Sequence, residues 1–190
     1  MFPIHGKFPR LMPIIGRLLV DYGDLEVDLM NCIQMQRGPD LNGTLKTMYR
    51  VRGETNRIDV ADGLGRAPYA ALDMAAEFDS MIAAMRHTLR IRNKYAHALW
   101  HDPAKELCYV SLEEQAKEPE EVVDLIALRF FYIDEPLLLS QERFFLYTRD
   151  LIAYVNYEGQ YRAEMIRTRN WSLPAVVAPP PYYTRASKPI

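Results

Sequence analysis

The sequence predicts a mainly α-helical bundle with a small β-ribbon inserted before the last long helix. Two observations carry that prediction. Long stretches place apolar residues at alternating spacings of three and four, which gathers them on one helix face. One internal stretch drops this period for runs of β-branched and aromatic residues. The elements follow in order along the chain.

Leu11 to about Arg37 reads as a long amphipathic helix, with Ile15, Leu18, Leu19, Tyr22, Leu25, Leu29, Cys32 and Ile33 on one broad face. Pro13 fits near a helix start, where the first amides lack intrahelical partners. Gly38-Pro39 ends that helix, and a second is expected from about Leu41 to Arg52, closing at Gly53. Glu54 to Pro68 is polar and contains Asp62-Gly63-Leu64-Gly65, which reads as a short helical turn and a loop. With neither a preceding strand nor a third glycine, it does not form a phosphate loop. From Pro68 to Leu99 the helical period returns through Leu72, Ala75, Phe78, Ile82, Met85, Leu89, Ala96 and Leu99, and Asp102-Pro103 stops it.

Glu106 to Leu112 and Val122 to Ile133 form the expected two-stranded ribbon, joined by the acidic linker Glu113 to Glu121; the first part of the second run also suits a helix. Asp134-Glu135-Pro136 has the form of a capped helix start. Leu138, Phe145, Leu146, Ile152, Tyr154, Val155 and Tyr161 carry the final helix to about Arg167. The sequence thus divides into one helical domain, 1–170, and a Pro-rich tail, 171–190, read as extended or mobile.

Composition bounds the function. The 190 residues, 49% hydrophobic and 25% charged, suit one well-packed domain better than two. Lys plus Arg is 23 against 25 for Asp plus Glu, a net charge of −2. Nucleic-acid contact would therefore need a local patch. Cys32 and Cys108 have no metal-ligand spacing and allow at most one bridge, so small buried thiols are the simpler reading. No apolar run approaches the roughly 18 residues of a membrane span, and no secretory leader is visible after Met1. The expectation is a cytoplasmic protein with no membrane contact, no cofactor and no metal.

One segment concentrates chemistry. Met85 to His101 holds His87, His97 and His101 together with Arg86, Arg90, Arg92 and Lys94, the only dense basic patch in the chain. The apolar stripe of this helix passes through Leu89, then Arg92, then Ala96, so Arg92 is expected at a buried position. A buried guanidinium needs a carboxylate, a phosphate or an open cleft beside it. Glu26, flanking the apolar face of the first helix, is the candidate carboxylate. Asn93 and His97, four apart, share a face with Arg90 and Lys94 beside them. Arg92 and His97 are five apart, about 140° round an ideal helix.

Arg92-Asn93-Lys94-Tyr95-Ala96-His97 resembles the Arg-X4–6-His motif of the HEPN superfamily, in which a polar residue often follows the arginine. Its continuation to Trp100 looks like the Arg-Asn-X-X-Ala-His-Gly-X-Trp variant of small bacterial HEPN-like proteins, with Ala98 in place of the glycine. Leu18 to Glu26 is similar to the first helix of such proteins, and the resemblance covers Leu11 to Trp100 and the final helix. It implies a metal-independent endoribonuclease acting as a homodimer, with one motif from each subunit at a shared cleft. It also implies a defence or toxin role, the latter with an antitoxin partner.

The residue types suit that chemistry. His97 moves protons near neutral pH, Arg92 offers a charged fork to a phosphate, and Asn93 positions either group. Arg86, Arg90 and Lys94 form either a solvated face or RNA-backbone contacts. Tyr95 supports by packing, Trp100 anchors the helix end, His101 and Asp102 belong to that end, and His87 is a surface residue. The aromatic groups Phe130-Phe131-Tyr132 and Phe144-Phe145-Tyr147 suit core or interface better than base stacking. The rival reading is a non-catalytic HEPN-like nucleotide- or RNA-binding scaffold, in which Arg92 and His97 knit a dimer or hold a phosphate.

Overall fold

The computed structural model describes residues 4–119 and 128–187. The described residues are mainly helical, 64%, with seven helices and a small four-stranded antiparallel sheet. The helices are α1 (Ile4–Lys7), α2 (Met12–Gln36), α3 (Leu41–Tyr49), α4 (Glu54–Ala71), α5 (Ala75–Ala96), α6 (Leu112–Gln115) and α7 (Glu135–Arg162). The strands are β1 (Leu99–His101), β2 (Cys108–Val110), β3 (Phe130–Tyr132) and β4 (Arg185–Ser187). No helix among the described residues is long and apolar enough to cross a membrane.

The described residues form two compact units, one drawn from Met1–Val20, Arg90–Arg143 and Pro180–Ile190, the other from Asp21–Leu89 and Phe144–Pro179. The second unit is all helix and connecting chain. In it the expected face of α2 is buried through Tyr22, Leu25, Leu29, Cys32 and Ile33, and Gly38, at φ +74°, follows the helix end in the left-handed region. Asp40 caps α3 by accepting from the Gly43 amide at 2.8 Å.

The polar stretch read as a loop is instead helix α4, which includes Pro68. Its buried positions Ile58, Ala61, Gly65 and Tyr69 keep the helical spacing, but only Ile58 is a large aliphatic residue, so the periodic signal is faint. Gly65 is small for a packing reason: a Cβ there would lie 2.5 Å from the Phe78 ring and 2.6 Å from Ile33 Cδ1. Tyr69 stacks on Phe78 at 4.9 Å between centroids, and its hydroxyl lies 2.9 Å from Cys32 Sγ. Both cysteines are free and buried, as the sequence reading expected.

The first unit carries the sheet, in the order β1-β2-β3-β4 with every pair antiparallel. The expected ribbon is present as β2 and β3, with β1 added before it and β4 contributed from the tail. The part of the expected second strand at 122–127 lies outside the described residues. Register places Trp100 opposite Tyr109, Tyr109 opposite Phe131, and Phe131 opposite Ala186. The result is an aromatic row across three-residue strands, with ring centroids 5.8 Å apart for Trp100–Tyr109 and 5.3 Å for Tyr109–Phe131. Such cross-strand pairs stabilise short strands that have few ladder hydrogen bonds. The start of α7 matches expectation: the Leu137 amide donates to Asp134 Oδ1 at 2.9 Å.

From Trp171 to Pro181 the Pro-rich tail has no regular secondary structure. Its last described part is ordered by pairing: Thr184 donates through its amide and its hydroxyl to the Tyr132 carbonyl, at 2.8 and 3.0 Å. β4 then pairs with β3.

Candidate functional site

The end of α5 belongs to the first unit and carries most of the residues singled out from sequence. The buried face of this helix is wide through Met81, Ile82, Met85 and Leu89, then narrows to Ile91 and Tyr95. The stripe therefore does not run through Arg92 and Ala96. Arg92 is half-buried, Ala96 and His97 are exposed, and the expectation of a buried Arg92 is corrected. The cause lies one strand away, where Tyr109 packs edge-on against Tyr95 at 5.9 Å and fixes which residues face inward.

Arg92 Nη1 donates to Asn93 Oδ1 at 3.0 Å. That bond occupies the acceptor end of the amide and leaves its N–H2 group as a donor. Asn93 and His97 are one turn apart, the His97 amide donating to the Asn93 carbonyl at 3.3 Å. Both side chains line a groove of about 320 Å³, together with Arg90, Lys94, Ser111, Glu113, Glu114, Lys117 and Tyr182. Arg92 is not among the residues that line it.

The groove has three walls. The last turns of α5 supply Arg90, Asn93, Lys94 and His97. The chain around α6 supplies Ser111, Glu113, Glu114 and Lys117, with Ser111 capping the helix by accepting from the Glu114 amide at 3.3 Å. The tail supplies Tyr182. Lys94 ties the walls together: it pairs with Glu114, and its ammonium lies 4.9 Å from the Tyr182 ring centroid and 5.9 Å from that of Phe131. Among the described residues Arg90 and Lys117 make no ion pair, so with Lys94 spent on Glu114 the groove keeps two uncommitted cations against Glu113.

Behind Lys94, Tyr95 is buried and its hydroxyl donates to Gln141 Oε1 at 2.6 Å. Gln141, also buried, donates from Nε2 to the Pro181 carbonyl at 2.8 Å. This relay links the α5 backbone next to Lys94 with the tail residue next to Tyr182. Burial pushes the Tyr95 phenol well above its ordinary range, with the Gln141 bond opposing. Tyr95 therefore stays protonated and serves as a structural donor, in keeping with the packing role read from sequence.

The other sequence candidates have the following surroundings within their own units. Arg86 is in the second unit, where it pairs with Asp59 at 2.9 Å and Asp62 at 3.0 Å. Glu26, also in that unit, is bound by Arg57 Nη1 at 3.2 Å. His87 is half-buried there and meets the Phe144 ring edge-on at 5.0 Å, a correction to its reading as a surface residue. His101 lies in β1, not at the helix end, and Asp102 pairs with Lys7. Phe131, Phe144 and Phe145 are buried, in line with the core reading.

Among the described residues no group of three or more His, Cys, Asp or Glu side chains could hold a metal ion. No family model, curated protein or solved structure matches the chain. The site's meaning rests on its own geometry and on the resemblance of its motif.

Sequence reasoning missed Ser111, Glu113, Glu114, Lys117 and Tyr182. Ser111 sits in the expected first strand, and Glu113, Glu114 and Lys117 in a linker whose acidity hid its lone lysine. For Tyr182 a signal did exist: the run from Tyr182 to Ser187 leaves the prolines behind and is rich enough in β-formers to suggest a strand.

Proposed function

We propose that the chain is a HEPN-like, metal-independent endoribonuclease that works as a homodimer, with Arg92, Asn93 and His97 at its chemical centre. The observation that carries this reading is the exposed His97 in an open groove beside Asn93, Arg90 and Lys117. A histidine that merely knits a scaffold would be buried and bonded.

In the proposed reaction an RNA 2′-hydroxyl loses its proton to an imidazole and attacks the adjacent phosphorus. The bond from phosphorus to the 5′-oxygen then breaks, and a second imidazole protonates the departing oxygen. His97 takes one role and the partner subunit's His97 the other. The amide N–H2 of Asn93, left as a donor while Arg92 holds its oxygen, donates to a phosphate oxygen as charge builds in the transition state. Arg92 thus acts as a positioning residue for Asn93 within one subunit. Arg90 and Lys117 draw in the backbone. A defence or toxin role, with an antitoxin partner in the latter case, follows from the same resemblance.

Glu113 and Glu114 support a second reading, because two carboxylates in the groove weaken its pull on a polyanion. In that reading the groove binds RNA or a nucleotide without cutting. One experiment separates the two: a pool of single-stranded and structured RNA is incubated in EDTA with wild type, Arg92→Ala and His97→Ala. The enzyme reading expects cutting by wild type and at least a ~100-fold loss for His97→Ala. Binding with no cutting, after removal of any co-purifying partner, would establish the scaffold reading instead.

A further inference from the structure

Glu113 differs from the other acids of its segment. It is exposed and lines the same groove as Asn93 and His97, and among the described residues its carboxylate takes part in no ion pair and no hydrogen bond. Its neighbour Glu114 is committed to Lys94. Arg90 and Lys117 line the groove as well, and neither closes on Glu113. The fold has little use for the charge. Glu113 is the second residue of α6, where an acid faces the positive end of a helix. That helix is only four residues long, and Ser111 already caps it through the Glu114 amide at 3.3 Å. An uncommitted carboxylate repels a polyanion in the same groove, unless a part of the ligand answers it with donors.

We propose that Glu113 reads a nucleobase in the groove, and that the base it accepts is an unpaired guanine. This rests on the reading that the groove takes RNA, and it adds which nucleotide is selected. An ionised carboxylate only accepts hydrogen bonds, and it can accept two side by side. The Watson–Crick edge of guanine presents two adjacent donors, N1–H and the 2-amino group. Adenine and cytosine each present one amino donor beside an acceptor ring nitrogen, and uracil presents one N–H between two carbonyl oxygens. On those three edges the second carboxylate oxygen meets an acceptor. The group that binds guanine therefore repels the others.

The groove's chemistry divides accordingly. Arg90 and Lys117 meet phosphates, Asn93 and His97 meet the reacting linkage, and Glu113 meets the base edge. A groove of about 320 Å³ lies at the small end of ligand sites, a size that suits one nucleotide. In a duplex the guanine edge is bonded to its partner base, so only an unpaired or splayed-out guanine offers it. Hydrogen bonds to an ionised acceptor are strong enough to discriminate between bases.

The test uses the full chain carrying His97→Ala, so that binding is read without cutting. Fluorescence anisotropy compares four labelled single-stranded RNA 12-mers, built from repeats of UUG, UUA, UUC or UUI. The last carries inosine, which keeps N1–H and lacks the 2-amino group. The parent is expected to bind the guanine strand ~10-fold tighter than the adenine and cytosine strands, with the inosine strand between them. Added Glu113→Gln keeps the side chain's size, loses one acceptor, and should cut the preference below ~3-fold. Added Glu113→Ala should abolish it, while binding of the adenine and cytosine strands tightens as the repelling charge is removed.

Equal tightening of all four strands in Glu113→Ala would overturn the proposal and leave Glu113 a general brake on RNA binding. A guanine preference that survives Glu113→Ala, or one that inosine keeps in full, would also overturn it. Should the Ala variant fail to fold, the Gln variant decides by the same measure. A parent that binds all four strands alike leaves the RNA reading in place and removes this one. Binding to no strand removes both readings.

Discussion

Two polar clusters, one in each unit, show opposite ways of using charge. In the second unit Glu158 is buried on α7 and fully engaged. Its carboxylate pairs with Arg162 at 3.0 Å and Arg169 at 3.0 Å, and it accepts from Trp171 Nε1 at 2.9 Å. Arg162 is itself bonded to the carbonyls of Leu72 and Asp73. In the first unit the groove around His97 keeps Arg90 and Lys117 without ion pairs among the described residues. A saturated cluster contributes to stability and has nothing left for a ligand. An unsaturated one contributes little to folding and is free to bind. The contrast teaches which of two charged clusters to search for function.

The largest effect should come from the saturated side. Glu158→Ala leaves two arginines around a buried gap and should destabilise the fold by about 3 kcal/mol. Urea denaturation reads this, and a loss under 1 kcal/mol would break the contrast.

Glu158 also sets a pH dependence. Burial alone would raise its carboxyl pKa. The hydrogen bonds from Arg162 and Trp171 and the charges of Arg169 and Arg162 outweigh that and hold it below the ordinary 4.5. Its stabilisation is therefore fully present above about pH 4.5 and is lost as pH falls through the depressed folded value. Denaturation midpoints measured from pH 7 to pH 3 should fall at the acid end, with a shallower fall in Glu158→Gln.

Trp171→Phe removes one donor to a buried carboxylate and should cost about 1.5 kcal/mol. In the same protein RNA binding should be unchanged. The smallest effects on stability belong to the groove: Arg90→Ala and Lys117→Ala should each move it by less than about 0.5 kcal/mol. Each should also reduce the salt slope of RNA binding by about 0.7, the value for one phosphate contact on a single strand. A salt slope unchanged by both would take the groove out of the binding face.

Legibility from sequence followed the size of the residues that do the packing. The face of α2 was plain because large aliphatic residues repeat along it, and the start of α7 because Asp134, Glu135 and Pro136 are helix-start types. α4 was hidden because Ala61 and Gly65 pack through small size, which leaves almost no hydrophobic signal. On α5 two apolar stripes run side by side as far as Leu89, and period alone does not say which one continues. Tyr109, distant in sequence, decides between them. His97, Asn93, Arg90 and Lys94 were found because they crowd one short segment. Tyr182 was not, because its place depends on a sheet that joins the tail to strands more than 50 residues earlier.

That sheet has a consequence for the order in which the molecule is made. A ribosome releases the Arg92–His97 segment long before Tyr182 and β4. The pairing of β4 with β3 is non-local and slow relative to helix formation. A nascent chain therefore carries the basic motif for a time with the groove open on its tail side. Only the late arrival of the tail adds the third wall to the groove in which His97 stands exposed.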